Sequence, residues 1–212
     1  MSNWSDILEA DLTWRESELA SLKRMAIVNS GNDVIHNALL RAAWTLLYAH
    51  FEGFTKFCWE ALLDKVEKEQ ISVNKLSDEF TLLALEKKFR TLRGNTASPS
   101  LWEFCVSIFP KELESPAFFS SDCRLETDSN LWPDVYEREC ARIGIVSGSL
   151  DNHRVRLRAL VSRRNDIAHG KIMIVRSVQE YAEYENATLV VMHELAIQTM
   201  ELVDGRKYEK VK

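Results

Sequence analysis

Between Asp33 and Gln70 the apolar positions Leu39, Leu40, Ala43, Leu46, Leu47, Phe54, Phe57, Ala61 and Leu62 recur at intervals of three and four. A stripe that dense, sustained over so many turns, needs burial on much of a helix circumference, as in the central helix of a bundle. It is too interrupted to cross a bilayer, because Arg41, His50 and Glu52 lie within its most apolar run. The whole chain of 212 residues has seven glycines and four prolines, and almost no β-branched alternation. The expected fold is therefore all-α: a single-domain helical bundle with one long central helix and an irregular helical insertion. The domain is expected over residues 1–212, with a core of about 33–204 and the less regular stretch at about 71–130.

Other helices are expected around that axis. The first runs from Trp4 to about Val28, with Ile7, Leu8, Leu12, Leu19, Leu22 and Met25 at helical spacing. "DEFTLLALEKKFRTLRG" reads as a helix stopped at Gly94, and "SPSLWEFCVSIF" as one opened near Pro99. "PKELESPAFFSSDCRLETDSN", with two prolines and many small polar residues, is expected to be a loop or lid. "WPDVYERECARIGI" gives a short helix opened by Pro133 and stopped at Gly144. A helix from His153 to His169 follows, with Asp151 or Asn152 as its N-cap. The last runs from Ser177 to about Val203, leaving "GRKYEKVK" as a charged tail.

The net charge of −5 argues by itself against a nucleic-acid partner, but its distribution does not. From Arg138 to Lys171 there are eight cations (Arg138, Arg142, Arg154, Arg156, Arg158, Arg163, Arg164 and Lys171) against Glu139, Asp151 and Asp166, a local excess of five. The four cysteines, Cys58, Cys105, Cys123 and Cys140, form no C-x-x-C pair and signal neither a zinc site nor a disulfide framework. "MSNWSDILEADLTW" lacks the features of a secretory leader, and the expected compartment is cytoplasmic.

The basic excess centres on "LVSRRNDIAHGK", Leu160 to Lys171. Asn165 and His169 are four apart, about 40° around a helix axis, and share a face. Arg164 and His169 are five apart, about 140° around the axis and about 7.5 Å along it. They can meet only if the helix ends at Gly170, where the imidazole is free to turn. A guanidinium presents a planar fork of donors to phosphate oxygens. An imidazole takes or gives a proton near neutrality. Together they suit attack of a ribose 2′-hydroxyl on the adjacent phosphorus, with the guanidinium balancing charge on the phosphate oxygens. That chemistry requires no metal and no cofactor. The negative end of the helix dipole favours imidazolium, hence the acid role, for His169. The plain alternative is helix-end electrostatics, with Arg164 on the surface.

Arg164-Asn165-Asp166-Ile167-Ala168-His169-Gly170, on a late helix of an all-α chain, resembles the R-N-x-x-x-H signature of the HEPN superfamily. "LLYAHFEGFTKF" (Leu46 to Phe57) and "SNLWPDVYERECARIGI" (Ser129 to Ile145) are similar to segments of its stand-alone bacterial branch. The resemblance runs from about Asp33 to Val203. It implies a helical bundle that forms a homodimer with two such motifs facing across a two-fold axis. It further implies a metal-independent endoribonuclease that leaves a 2′,3′-cyclic phosphate, acting as a toxin or phage-defence effector with RNA as substrate and an antitoxin protein as a further partner. On that resemblance Arg164 contacts the scissile phosphate, His169 is the acid/base, and Asn165 orients the imidazole or binds phosphate. Many members have lost the motif and only bind RNA, nucleotide or protein; this chain retains it.

Around these three, Glu52 is a supporting candidate, expected to contact Arg164 or Arg163. Arg163 and Arg158, with Arg154 and Arg156, would form a phosphate-tracking rim or simply a solvated helix face. Trp44, Tyr48, Phe51, Phe54, Phe57 and Trp59 come at helical spacing and belong to a core or dimer interface before a base-stacking platform. His50 is a core or interface histidine on the same grounds, and His36, His153 and His193 have no evident partner.

Overall fold

The computed structural model describes residues 4–94, 96–121, 124–127 and 129–210. Helices run over Trp4–Val28 (α1), Asp33–Lys68 (α2), Asp78–Gly94 (α3), Ser98–Glu103 (α4), Phe109–Glu114 (α5), Pro133–Arg142 (α6), Gly148–Ala168 (α7) and Val178–Asp204 (α8). Among the described residues no strand forms; two isolated bridges, Ser72 with Pro116 and Leu76 with Glu209, are the only extended pairings. No helix among them is long and apolar enough to cross a membrane.

The axis of the bundle is α2. Its 36 residues make a rod of about 54 Å. Asn32 starts it, its side-chain oxygen accepting the Ile35 amide at 3.2 Å. Asp33 in the first turn and Lys65 and Lys68 in the last match the helix dipole. Leu40, Trp44, Leu47, Tyr48, Phe51, Phe54, Trp59, Leu62 and Val66 are all fully buried, and each such side chain contributes about 1.5–3 kcal/mol of transfer free energy. Burial covers most of the circumference because α1, α7 and α8 pack around α2. The Trp44 indole, sealed in that packing, donates to the Leu160 carbonyl of α7 at 3.1 Å and so fixes the height of α7 against α2.

Three expected boundaries move, each for a tertiary reason. The stretch from Pro110 begins as helix α5 rather than as loop. A proline inside a helix leaves the carbonyl four residues back without its donor. Here the chain widens the preceding turn, Phe104–Ile108, to π geometry, with the Phe109 amide donating to the Phe104 carbonyl. Beyond α5 the chain returns along the end of α2. The Ala117 amide donates to the Ile71 carbonyl at 2.8 Å, the Phe119 amide to Glu67 Oε1 at 2.6 Å, and Phe119 is buried edge-on against Phe80.

The motif helix α7 opens at Gly148, five residues before the expected start, because its cap comes from α8 and not from Asp151 or Asn152. The Glu194 carboxylate accepts the Gly148 amide at 2.9 Å, the Ser149 amide at 3.1 Å and the Ser147 and Ser149 hydroxyls. Finally, the charged tail is not free. Tyr208 is buried, its carbonyl accepts the Ser77 amide at 2.8 Å, and the Lys210 amide donates to the Lys75 carbonyl at 2.9 Å. Of the cysteines, Cys58 and Cys140 are buried and Cys105 is exposed, all as free thiols; Cys123 lies outside the described residues.

Candidate active site

Helix α7 ends where the sequence places its end. His169 is the C-cap, and Gly170 takes a φ of +75°, a left-handed conformation open to glycine at no steric cost. The Gly170 amide donates to the Ile167 carbonyl at 3.0 Å and the Lys171 amide to the Asp166 carbonyl at 2.9 Å, the paired bonds of a Schellman ending. The imidazole of His169 thus stands on the last half-turn. It is exposed, and takes no hydrogen-bond partner among the described residues. Lys171 pairs with Asp166 at 2.7 Å across the same ending.

Arg164 lies on another side of the helix, half-buried. Its Nη1 donates to Asn165 Oδ1 at 2.9 Å and to Asn130 Oδ1 at 3.0 Å, on the loop before α6. Its guanidinium carbon lies 4.4 Å from the centroid of the Tyr48 ring on α2. The Tyr48 hydroxyl accepts the Leu131 amide at 2.8 Å. Burial pushes the phenol pKa up; the Leu131 amide draws it back, and the hydrogen-bonded Glu52 carboxylate raises it further. The phenol therefore stays protonated and faces Glu52. Glu52 itself pairs with Lys56 at 2.7 Å, and forms no ion pair with Arg163 or Arg164. Among the described residues no hydrogen bond joins Arg164 to His169 within one chain.

The neighbouring cations are otherwise engaged. Arg163, one residue before Arg164, pairs with Glu180 at 2.7 Å and lies against the touching rings of Trp44 and Tyr184, at 5.0 and 5.4 Å from their centroids. Arg158 reaches Asp134 at 2.7 Å, and Arg154 reaches Asp134, Glu137 and Asp151 within 3.0 Å. Arg156 faces Glu183 at 4.0 Å, while Arg138 and Arg142 both hold the buried Glu139. Of the eight cations between Arg138 and Lys171, Arg164 alone has no carboxylate within 4.0 Å among the described residues.

Three of the four remaining histidines have structural settings. His50 is buried between α1 and α2, its Nδ1 3.3 Å from Arg15 Nη1 and its Nε2 2.9 Å from the Glu18 carboxylate. Burial, then the Arg15 charge, hold its pKa below the ordinary value against the pull of Glu18. His36 meets the Ala26 carbonyl at 2.8 Å, and His193 meets Glu16.

Two contributors to the setting of Arg164, Tyr48 and Asn130, are not among the residues singled out from the sequence as a site. Both lie inside segments that resemble the family, Leu46 to Phe57 and Ser129 to Ile145, so the signal was present without a role attached.

A profile of the MAE_28990-like HEPN family matches residues 4–208. The match takes in α1 and the first half of the tail, beyond the resemblance traced from Asp33 to Val203. No curated protein and no solved structure matches the chain. With the all-α fold, the helix ending at Gly170 and a match over nearly the whole length, the chain belongs to the MAE_28990-like HEPN family.

Proposed function

We propose that the protein is a metal-independent endoribonuclease that cuts RNA by 2′-hydroxyl attack and leaves a 2′,3′-cyclic phosphate. The carrying observation is the isolation of Arg164. In a region dense with cations, it is the one whose charge no carboxylate among the described residues balances, and it is half-exposed. Such a cation invites an anion, and its fork matches phosphate oxygens. HEPN domains are often ribonucleases that bind RNA and dimerise, which supports the same reading. In it Arg164 neutralises the charge that grows on the phosphate oxygens, His169 moves the proton, and Asn165 holds Arg164 beside the phosphate. Since the two side chains do not meet within one chain, a second copy supplies the facing pair. The exposed Ile172 and Ile174, directly after the motif, are the apolar surface that copy would cover. Toxin or phage-defence action, held in check by an antitoxin protein, fits an RNA-cutting activity of this kind.

Purified protein should cut single-stranded RNA in EDTA, and the products should carry 2′,3′-cyclic phosphate ends. His169→Ala and Arg164→Ala should each abolish cutting, as should a 2′-deoxy residue at the cleavage position. Cleavage that survives all three changes defeats the mechanism. A second reading, a module that binds RNA, nucleotide or protein without chemistry, is favoured by the exposed His169, which no hydrogen bond from the described residues orients. It predicts that His169→Ala leaves RNA affinity intact and that no product ever forms.

A further inference from the structure

Arg164 receives contacts from three separate parts of the chain: the Tyr48 ring on α2, the Asn130 side chain on the loop before α6, and Asn165 beside it on α7. The contacts are distributed in a particular way over the guanidinium. Both amide oxygens converge on Nη1, the ring covers one face, and Nε and Nη2 take no protein acceptor among the described residues. An arginine fork has two edges that can address an anion, one through Nε and Nη2. Here that edge is left open while the opposite corner is pinned.

The pinning groups are themselves fixed. Tyr48 is fully buried. Its hydroxyl accepts the Leu131 amide, which follows Asn130, and faces Glu52 on the same helix. The phenol therefore ties the short loop to α2. Ser129, at the head of that loop, has a φ of +76°, and the Asn130 amide donates to the Thr127 carbonyl at 2.8 Å. A serine in left-handed backbone is uncommon and persists only where its surroundings hold it. The turn presents the Asn130 oxygen to Arg164 and not to solvent.

We propose that Tyr48 and Asn130 are positioning residues for Arg164, holding its guanidinium face-on to the Tyr48 ring with the Nε–Nη2 edge free for a phosphate. Neutral groups do this work, so the arginine keeps its full charge for the ligand. A carboxylate in the place of Asn130 would orient the fork equally well and cancel that charge. The assignment rests on Arg164 as the phosphate contact, and it makes the loop at residues 129–131 part of the site although none of it reaches the substrate.

The test uses the full chain with labelled arginine. In the wild type the Arg164 guanidinium, assigned by its loss in Arg164→Lys, should show slow rotation about its Cζ–N bonds by nuclear magnetic resonance. In Asn130→Ala that rotation should become fast, and Tyr48→Phe, which keeps the ring but frees the loop, should give an intermediate rate. Turnover should fall by up to about 10²-fold in Asn130→Ala, the scale of a small misplacement, with kcat falling more than KM rises and with the melting temperature little changed. Asn130→Asp should preserve slow rotation and still weaken affinity for a single-stranded oligonucleotide. Fast rotation in the wild type, or no change in either variant, overturns the proposal even if the enzyme cuts RNA. Slow, Asn130-dependent rotation in a protein that cuts nothing retains the clamp and rejects the nuclease.

Discussion

In the first half of α7, Arg154 and Arg158 both reach Asp134 on α6, and Arg154 also reaches Glu137 and Asp151, whereas near the end of the same helix Arg164 meets only amide oxygens and an aromatic ring. A count of charges along the sequence treats these residues alike. The fold separates them by what stands opposite. Acids on α6 balance the early cations, so their field largely cancels within a Debye length of the surface. Arg164 faces no acid among the described residues, and on the proposed reading its charge is kept for something outside the chain. A local basic excess thus marks a neighbourhood, and the pattern of pairing picks out the residue proposed to meet an anion.

The largest expected effect tests whether that residue acts as a fork or as a bare charge. Arg164→Lys retains the positive charge and the length but not the planar pair of donors. It should lower kcat/KM on RNA by about 10²-fold, on the scale of removing one aligned transition-state donor. A lysine variant that cuts as well as the wild type would show that charge alone suffices and would remove the contrast between Arg164 and its paired neighbours.

The next effect belongs to stability. Arg163 adjoins Arg164 in sequence and differs from it by about 100° around the helix. That rotation takes it against the Trp44 and Tyr184 rings and onto Glu180. Arg163→Ala removes two ring contacts and leaves Glu180 without its ion pair. Unfolding should become easier by about 2 kcal/mol, or roughly 4–8 °C in melting temperature for a chain of this size. Cleavage per folded molecule should change little. A large loss of activity without loss of stability would return Arg163 to the phosphate-binding rim expected from the sequence.

That pair of arginines shows where reading a sequence stops. The helix limits at Val28 and Gly94, and the stop at Gly170, were legible because local residues set them: the polar turn Asn29-Ser30-Gly31-Asn32, a glycine, and a left-handed C′ position. The long central helix was legible from its apolar period. What escaped depended on partners distant in the chain. Glu194 caps α7 from 46 residues beyond Gly148. Tyr208 lies against Phe80 and donates to Glu69. Asn130 meets Arg164 across 34 residues. Arg163 and Arg164 are the same residue type side by side, and no local rule tells which will face an acid.

A smaller effect concerns the cap that sets the register of α7. Burial pushes the Glu194 carboxyl pKa up, but hydrogen bonds from the Ser147 and Ser149 hydroxyls and the Gly148 and Ser149 amides outweigh it, and the net shift is downward. A carboxyl whose folded pKa is depressed stabilises fully above its unfolded value, about 4.3, and that contribution is lost as pH falls through the lower folded value. Glu194→Gln should cost about 1 kcal/mol near neutral pH. The gap between variant and wild type should close in denaturant titrations as pH drops below about 4. A gap that persists unchanged in acid would mean that the shape of the side chain, and not its charge, caps the helix.

The smallest effect is the sharpest test of the comparison. Arg158 is exposed and its partner Asp134 more so, at 57% and 65% of the side chain. Pairs of that kind contribute about 0–1 kcal/mol, because water screens them and both side chains lose freedom in meeting. Asp134 would also retain Arg154 in an Arg158→Ala variant. Stability should therefore move by less than about 0.5 kcal/mol. If pairing decides function, RNA affinity should hardly move either, and its salt dependence should keep nearly the slope of the wild type, since a cation already neutralised by the protein releases few counterions from RNA. A slope that drops by close to one would mean that RNA displaces Asp134 and takes Arg158 for itself. The early arginines of α7 would then be a reserve that binding unlocks, and the contrast with Arg164 would be one of order of engagement and not of kind.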